Sequence, residues 1–228
     1  YLAFERFSYT GGIWGSAWVG LNNFYEFFSD GEFLRALRNT VIFSLGKLAL
    51  QFPTAIILAL ALNELRHARI KKLYQTVFTF PHFISWVVMA GILKNMFASN
   101  GVINQLLTVW GMDAISPLLS KTGFRPFIWF SNIWKEAGWD TIIYMAALAG
   151  IDPGLYEAAE IDGANRWRKI WHITLPGIRS TILIMLILEI GRIMTTGASF
   201  DQVFNLYSSP VYEVADTIDT YIYRTSFG

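Results

Sequence analysis

Charged side chains stand inside the most apolar stretches of this 228-residue chain. Lys47 lies within NTVIFSLGKLALQFPTAIILALAL, Glu136 and Asp140 within WFSNIWKEAGWDTIIYMAAL, and Glu189 and Arg192 within TILIMLILEIGRIM. Charges in such surroundings normally face a bundle interior or a wet cavity, where they hydrogen-bond a polar cargo or relay protons. Other chemistries are excluded by residue type. The chain has no Cys, so thiolate metal sites and cysteine nucleophiles are absent. His67, His82 and His172 lack metal-ligand spacing. Gly46–Lys47 runs into Leu48, so no phosphate-cradling G-x-x-x-x-G-K-[ST] loop exists, and no G-x-S-x-G elbow does either. No catalytic residue and no metal site are assigned, and the chain is not expected to hydrolyse ATP itself.

The elements that must hold these charges follow from composition. Apolar residues make up 54% and charged residues 15%, against about 25% charged in an ordinary soluble domain. Four segments are long and apolar enough for a bilayer core that takes about 20 helical residues: 39–62, 73–97, 124–151 and 178–197. A soluble four-helix bundle is the competing reading, but its helices would carry charged outer faces, and Ile182–Leu188 is apolar all round. The first ten residues have no basic start and apolar core of a signal peptide. A net charge of +1 gives no reason to expect a nucleic-acid partner.

Polar residues fall on stripes along these spans. Thr40, Ser44, Lys47, Gln51 and Thr54 recur at helical spacing; so do Thr76, Thr79, His82 and Ser85, where Pro81 predicts a bend, and Thr181, Met185, Glu189, Arg192 and Thr196. Glu136, Asp140 and Tyr144 form one row, whereas Trp134 and Trp139, five apart, cannot share a face. The candidate path-lining residues are Lys135, Glu136, Trp139, Asp140, Tyr144, Glu189 and Arg192, with Phe200 and Gln202 capping the outer end. Each feature has a plainer reading: a Glu189–Arg192 ion pair, tryptophans in an interfacial belt, Lys47 snorkelling or paired elsewhere. Stripes on all four spans favour a transport path. An ion-coupled secondary transporter, with Lys47, Glu136, Asp140 and Glu189 relaying protons, is the alternative.

Orientation follows from the short loops. Arg66, Arg69, Lys71 and Lys72 crowd residues 63–72, and Arg166, Arg168 and Lys169 crowd 152–177, so both loops are expected in the cytoplasm. Residues 1–38, 98–123 and 198–228 then lie outside, flanking a permease core over 39–197. Asp30 suits the cap of a helix carrying Phe33, Leu34 and Leu37, and Gly101 and Gly111 bound another short helix.

The loop after the third segment reads IDPGLYEAAEIDGANRWRKIWHITLPGI. Asp152 caps a helix with Pro153 at its first position, Gly163 breaks it, and a second helix runs from about Ala164 to before Pro176. Such an elbow is a docking shape, although a re-entrant interfacial loop fits the pattern too.

This loop resembles the signature of ATP-binding-cassette (ABC) importer permeases. Glu157, Ala158, Ala159, Gly163, Ile173, Leu175 and Pro176 match it without a gap, around Asp162–Gly163–Ala164; Ile170 stands where an aromatic is common. WVGLNNF, LRNT, FPHFISWVV, SNGVINQLL and IWKEAGW extend the resemblance to the carbohydrate type, and within it to permeases of oligosaccharides and polysaccharide fragments, alginate-type included. The resemblance implies an all-α, polytopic bundle of the type I importer (MetI-like) kind with six spans, of which this chain would carry the central four. It implies a multi-pass protein of the bacterial inner membrane, surrounded by lipid, with a second homologous permease and an extracytoplasmic solute-binding protein. It also implies two cytoplasmic ATPase subunits that hold ATP and magnesium, this chain binding no cofactor. Glu157 to Pro176 would couple to those ATPases, and the path residues would meet sugar hydroxyls.

Overall fold

The computed structural model describes residues 1–193 and 200–227; Thr196 of the fourth stripe and the end of the expected fourth span lie outside them. Among the described residues, the regular structure is helical apart from a two-residue antiparallel ladder in which β1 (Glu5–Arg6) pairs with β2 (Ala17–Trp18). That ladder is a small departure from the all-α expectation.

After α1 (Asn22–Ser29), the Asp30 side chain accepts the Glu32 N–H at 2.8 Å and starts α2 (Gly31–Asn63). The amphipathic turn carrying Phe33, Leu34 and Leu37 and the first span are therefore one helix of 33 residues, and the expected boundary at residue 38 falls inside it. Nothing between them ends a helix: no Gly or Pro intervenes and the apolar pattern continues.

The second apolar segment is broken rather than bent. α3 (Ala68–Thr79) leads into a 3₁₀ turn, Phe80–Phe83, and α4 (Trp86–Met96) leaves at 100°. Pro81 has no N–H to continue the ladder, and the Ser85 hydroxyl accepts the Val88 N–H at 3.3 Å to start α4 afresh. The expected stripe of Thr76, Thr79, His82 and Ser85 is thereby split. α5 (Val102–Val109) lies between Gly101 and Gly111 as expected.

α6 (Lys121–Ala149) is the central helix, lying along α2 and burying Asn132, Lys135, Thr141 and Tyr144. α7 (Pro153–Ile161) carries Asp152 as its cap. α8 (Arg166–Lys169) runs through a π-helical turn, Ile170–Thr174, into α9 (Leu175–Gly177), and α10 (Arg179–Gly191) departs at 61°. The second arm of the elbow thus passes Pro176 instead of stopping before it; the widened turn absorbs a residue whose N–H is missing. α11 (Phe200–Leu206), α12 (Tyr212–Ala215) and α13 (Ile218–Phe227) complete the described chain.

Among the described residues, α2 is long and apolar enough to cross a membrane, and up to three crossings result if each bent pair counts as one. α6 is not among them, so the expected four apolar spans are not reproduced by length and composition. Two apolar clusters hold the bundle. One gathers Phe43, Met89, Leu93, Phe124, Ile128, Val203 and Leu206; the other gathers Ala55, Ala59, Tyr144, Leu148 and Ile178. Along α2 they leave Ser44 to Phe52 between them.

Candidate functional site

That interval opens onto a cavity of about 350 Å³. α2 contributes Ser44, Lys47, Gln51 and Phe52; the break after α3 contributes His82, and α4 contributes Trp86; α6 contributes Asn132, Glu136, Trp139, Asp140 and Tyr144; α10 contributes Met185 and Glu189, followed by Arg192. The row Glu136–Asp140–Tyr144 therefore faces one space with Glu189 and Arg192, as its spacing required. Trp139 lines the cavity and Trp134 does not, which is the outcome set by their separation of five.

The polar groups are cross-linked between helices. Gln51 donates to Asp140 at 2.5 Å and accepts from Asn132. His82 Nδ1 lies 2.6 Å from Glu136 Oε2, and its ring stacks on Trp139. Arg192 lies 3.5 Å from Glu189. The arrangement offers carboxylate, amide and phenol groups beside an indole. It can hydrogen-bond hydroxyl groups and lie against an apolar face.

Three expected residues stand elsewhere. Lys135 is 5% exposed and outside the cavity wall. Its ammonium donates to the His82 carbonyl at 2.6 Å, pairs with Glu136 at 3.1 Å and lies over Trp86, so it fastens the broken segment to α6. Gln202 is fully buried and donates to the Ile128 carbonyl and Ser131 hydroxyl, pinning α11 to α6. Phe200 stacks on Phe204 and leans on Tyr223. Neither caps the cavity. Ser44, Lys47, Gln51 and His82 were legible as polar stripes. Asn132 was missed, and its signal was the row one turn before Glu136.

The elbow keeps its signature residues at a helix end. Gly163 has φ of 73°. Its N–H donates to the Glu160 carbonyl at 3.0 Å, and the Ala164 N–H donates to the Ala159 carbonyl at 2.8 Å. These two bonds form a Schellman cap. Lys169 clamps Glu160 at 2.7 Å, and this ammonium contact holds the carboxyl below the usual carboxylate range. Glu157 and Ala158 are exposed, as are Leu155, Ile161, Trp167 and Trp171.

A helical bundle with exposed apolar side chains and a charged cavity between its long helices has the build of a membrane transport subunit. The profile of the binding-protein-dependent transport system inner membrane component family matches residues 51–214, and the chain belongs to that family. The resemblance read from Glu157 to Pro176 therefore holds. The chain is 44% identical over 223 residues to the polygalacturonan/rhamnogalacturonan transport system permease protein of Bacillus subtilis (strain 168), covering 97% of this chain and 69% of that one. It is 32% identical to the lactose transport system permease protein of Rhizobium radiobacter, covering 96% and 74%. Among solved structures it is similar to a bacterial ABC transporter involved in the import of the acidic polysaccharide alginate, with a TM-score of 0.88 and 42% identity over 92% of this chain and 73% of that one. A second, a bacterial alginate ABC transporter in complex with alginate pentasaccharide-bound periplasmic protein, gives 0.86 and 43% over 90% and 71%.

Proposed function

We propose that the chain is a permease subunit of a carbohydrate ABC importer, and that its cavity is one wall of the path for an oligosaccharide or polysaccharide fragment, alginate-type substrates included. The observation that carries this reading is the convergence of Glu136, Asp140, Tyr144, Glu189 and Arg192 on one space along α2. Sugars present hydroxyl groups around a ring whose faces are partly apolar. Carboxylate, amide and phenol groups meet the hydroxyls, and Trp139 meets the ring face. The similarity to polygalacturonan/rhamnogalacturonan and alginate systems supports the cargo class.

In this reading α2, the α3–α4 pair, α6 and the α9–α10 run cross the inner membrane as four spans. α6 crosses despite its charges because α2, α10 and the broken segment shield them. The loops 63–72 and 152–177 face the cytoplasm; the remaining connections face out, toward a solute-binding protein. The exposed face of α7 with Glu157 docks against one of two ATPase subunits, which hold ATP and magnesium, and a second homologous permease completes the path. ATP-driven closure of the ATPases displaces the elbow, and α10, which follows its second arm after the 61° bend, carries that motion to Glu189 and Arg192.

The test is uptake of an oligosaccharide into proteoliposomes containing the assembled complex and its binding protein. Uptake should require ATP and persist with an uncoupler. Uptake that ignores ATP and collapses with the uncoupler would overturn this assignment in favour of ion-coupled transport.

A further inference from the structure

The cavity's carboxylates are all engaged and its central ammonium is not. Glu136 is held by Lys135 and His82, Asp140 by Gln51, and Glu189 by Arg192. Lys135 of α6 is taken up by the His82 carbonyl and Glu136. Lys47 lines the same space, half-buried, and among the described residues it makes no hydrogen bond or ion pair. It lies at the midpoint of α2, sixteen residues from Gly31 and sixteen from Asn63, or about 24 Å from either end at helical rise. The apolar stretch itself begins at residue 39, about 12 Å away at helical rise, still beyond the reach of a lysine side chain. Its three ammonium donors are thus held at membrane depth without an acceptor among the described residues, where an unpaired charge is costly.

We propose that Lys47 is the residue that selects anionic over neutral cargo, taking the carboxylate of a uronic-acid unit while the acceptor-rich row on α6 takes that unit's hydroxyls. The inference rests on the reading of the cavity as a sugar path. A uronate is complementary to this wall because it brings one anion and several O–H donors. Glu136, Asp140 and Glu189 repel its carboxylate; of the cavity's cations Arg192 is shared with Glu189, which leaves the Lys47 ammonium as the better seat. Its hydroxyls fit the carboxylates, which cannot donate when ionised. A neutral oligosaccharide satisfies the row but leaves the ammonium unpaired. Charge-assisted bonds are roughly twice as strong as neutral ones, so the preference for the acidic chain resides mainly at this position.

The experiment compares wild type, Lys47→Gln and Lys47→Arg in the complete complex with its binding protein, each variant first checked for assembly by size-exclusion chromatography. Uptake is measured for an oligouronate and for its carboxyl-reduced, neutral counterpart of the same length. Lys47→Gln should lower oligouronate uptake about tenfold or more, a loss of about 1.4 kcal/mol. It should change neutral uptake less than about twofold, and Lys47→Arg should recover most of the loss. Undiminished oligouronate uptake by Lys47→Gln overturns the proposal, and so do equal losses for both cargoes or a Lys47→Arg variant as impaired as Lys47→Gln. If the wild-type complex takes up neither oligomer, the sugar-path reading itself fails and this inference falls with it.

Discussion

The imidazole of His82 lies flat on the indole of Trp139, with ring centroids 4.2 Å apart and planes 5° from parallel. The two residues are 57 positions apart in sequence, one in the break after α3 and the other on α6. Their stacking, with the Lys135 bond to the His82 carbonyl, turns a helix interruption into part of the cavity wall. The chemistry of this wall therefore depends on how closely the broken segment docks against α6.

That docking has a sharp steric requirement. A Cβ on Gly138 would collide with the backbone at Phe78 and Thr79, whereas one on Gly91 of α4 meets nothing. Gly138→Ala should lower stability by about 1–3 kcal/mol, the usual cost of overpacking. Gly91→Ala should be neutral or stabilising by about 0.5–1 kcal/mol, the helical gain of Ala over Gly. Thermal unfolding of the purified complex measures both. A Gly138→Ala variant as stable as wild type would show that the contact yields easily.

The α6 row should govern transport. Each hydrogen bond to a charged group contributes roughly 1.5–3 kcal/mol, so Glu136→Gln, Asp140→Asn, Tyr144→Phe and Arg192→Gln should each impair uptake about tenfold or more while assembly persists. Tyr144 is 1% exposed and packs edge-on against Phe52; Tyr144→Phe keeps that packing and removes only the hydroxyl. Uptake and substrate-stimulated ATPase activity report the outcome. Original rates in all four variants would mean that these groups are structural.

At the elbow, Gly163→Pro removes the N–H that bonds Glu160 and demands φ near −65° where the chain has 73°. Glu157→Lys keeps the helix and reverses an exposed charge. Both should uncouple ATP hydrolysis from transport, or prevent ATPase binding, without unfolding the long helices. Liposomes in which both variants show normal uptake would contradict the coupling role of this loop.

Between the start of α2 and α13, the Tyr221 hydroxyl donates to Asp30 at 2.5 Å. The phenol holds the Asp30 carboxyl below its usual value, and the carboxylate pushes the phenol up to about 12. A depressed acid stabilises above its unfolded value and loses that contribution as pH falls through the folded one. The raised phenol contributes below its unfolded value near 10, and loses that contribution as pH rises through about 12. Tyr221→Phe should therefore lower the unfolding temperature at neutral pH, with the deficit shrinking below a pH of roughly 4. A deficit unchanged down to pH 3 would assign the loss to packing.

Much of this protein was legible one element at a time. The spacing of Glu136, Asp140 and Tyr144 put them on one face because a helix repeats every 3.6 residues. Asp30, Asp152 and Gly163 marked helix ends because capping is local chemistry, and Glu157 to Pro176 carried the family in their order alone. What the sequence could not say was which of several charges in apolar segments faces the cavity. Lys135 and Glu136 are neighbours, yet one locks the broken segment and the other lines the space. Gln202 was as polar as any path residue, yet its partners are the Ile128 carbonyl and the Ser131 hydroxyl. Pro81 announced a bend, but neither its 100° angle nor the close approach of the Phe78 backbone to Gly138. These outcomes rest on contacts between residues far apart in the chain, and helical periodicity fixes a residue's face without fixing what that face meets.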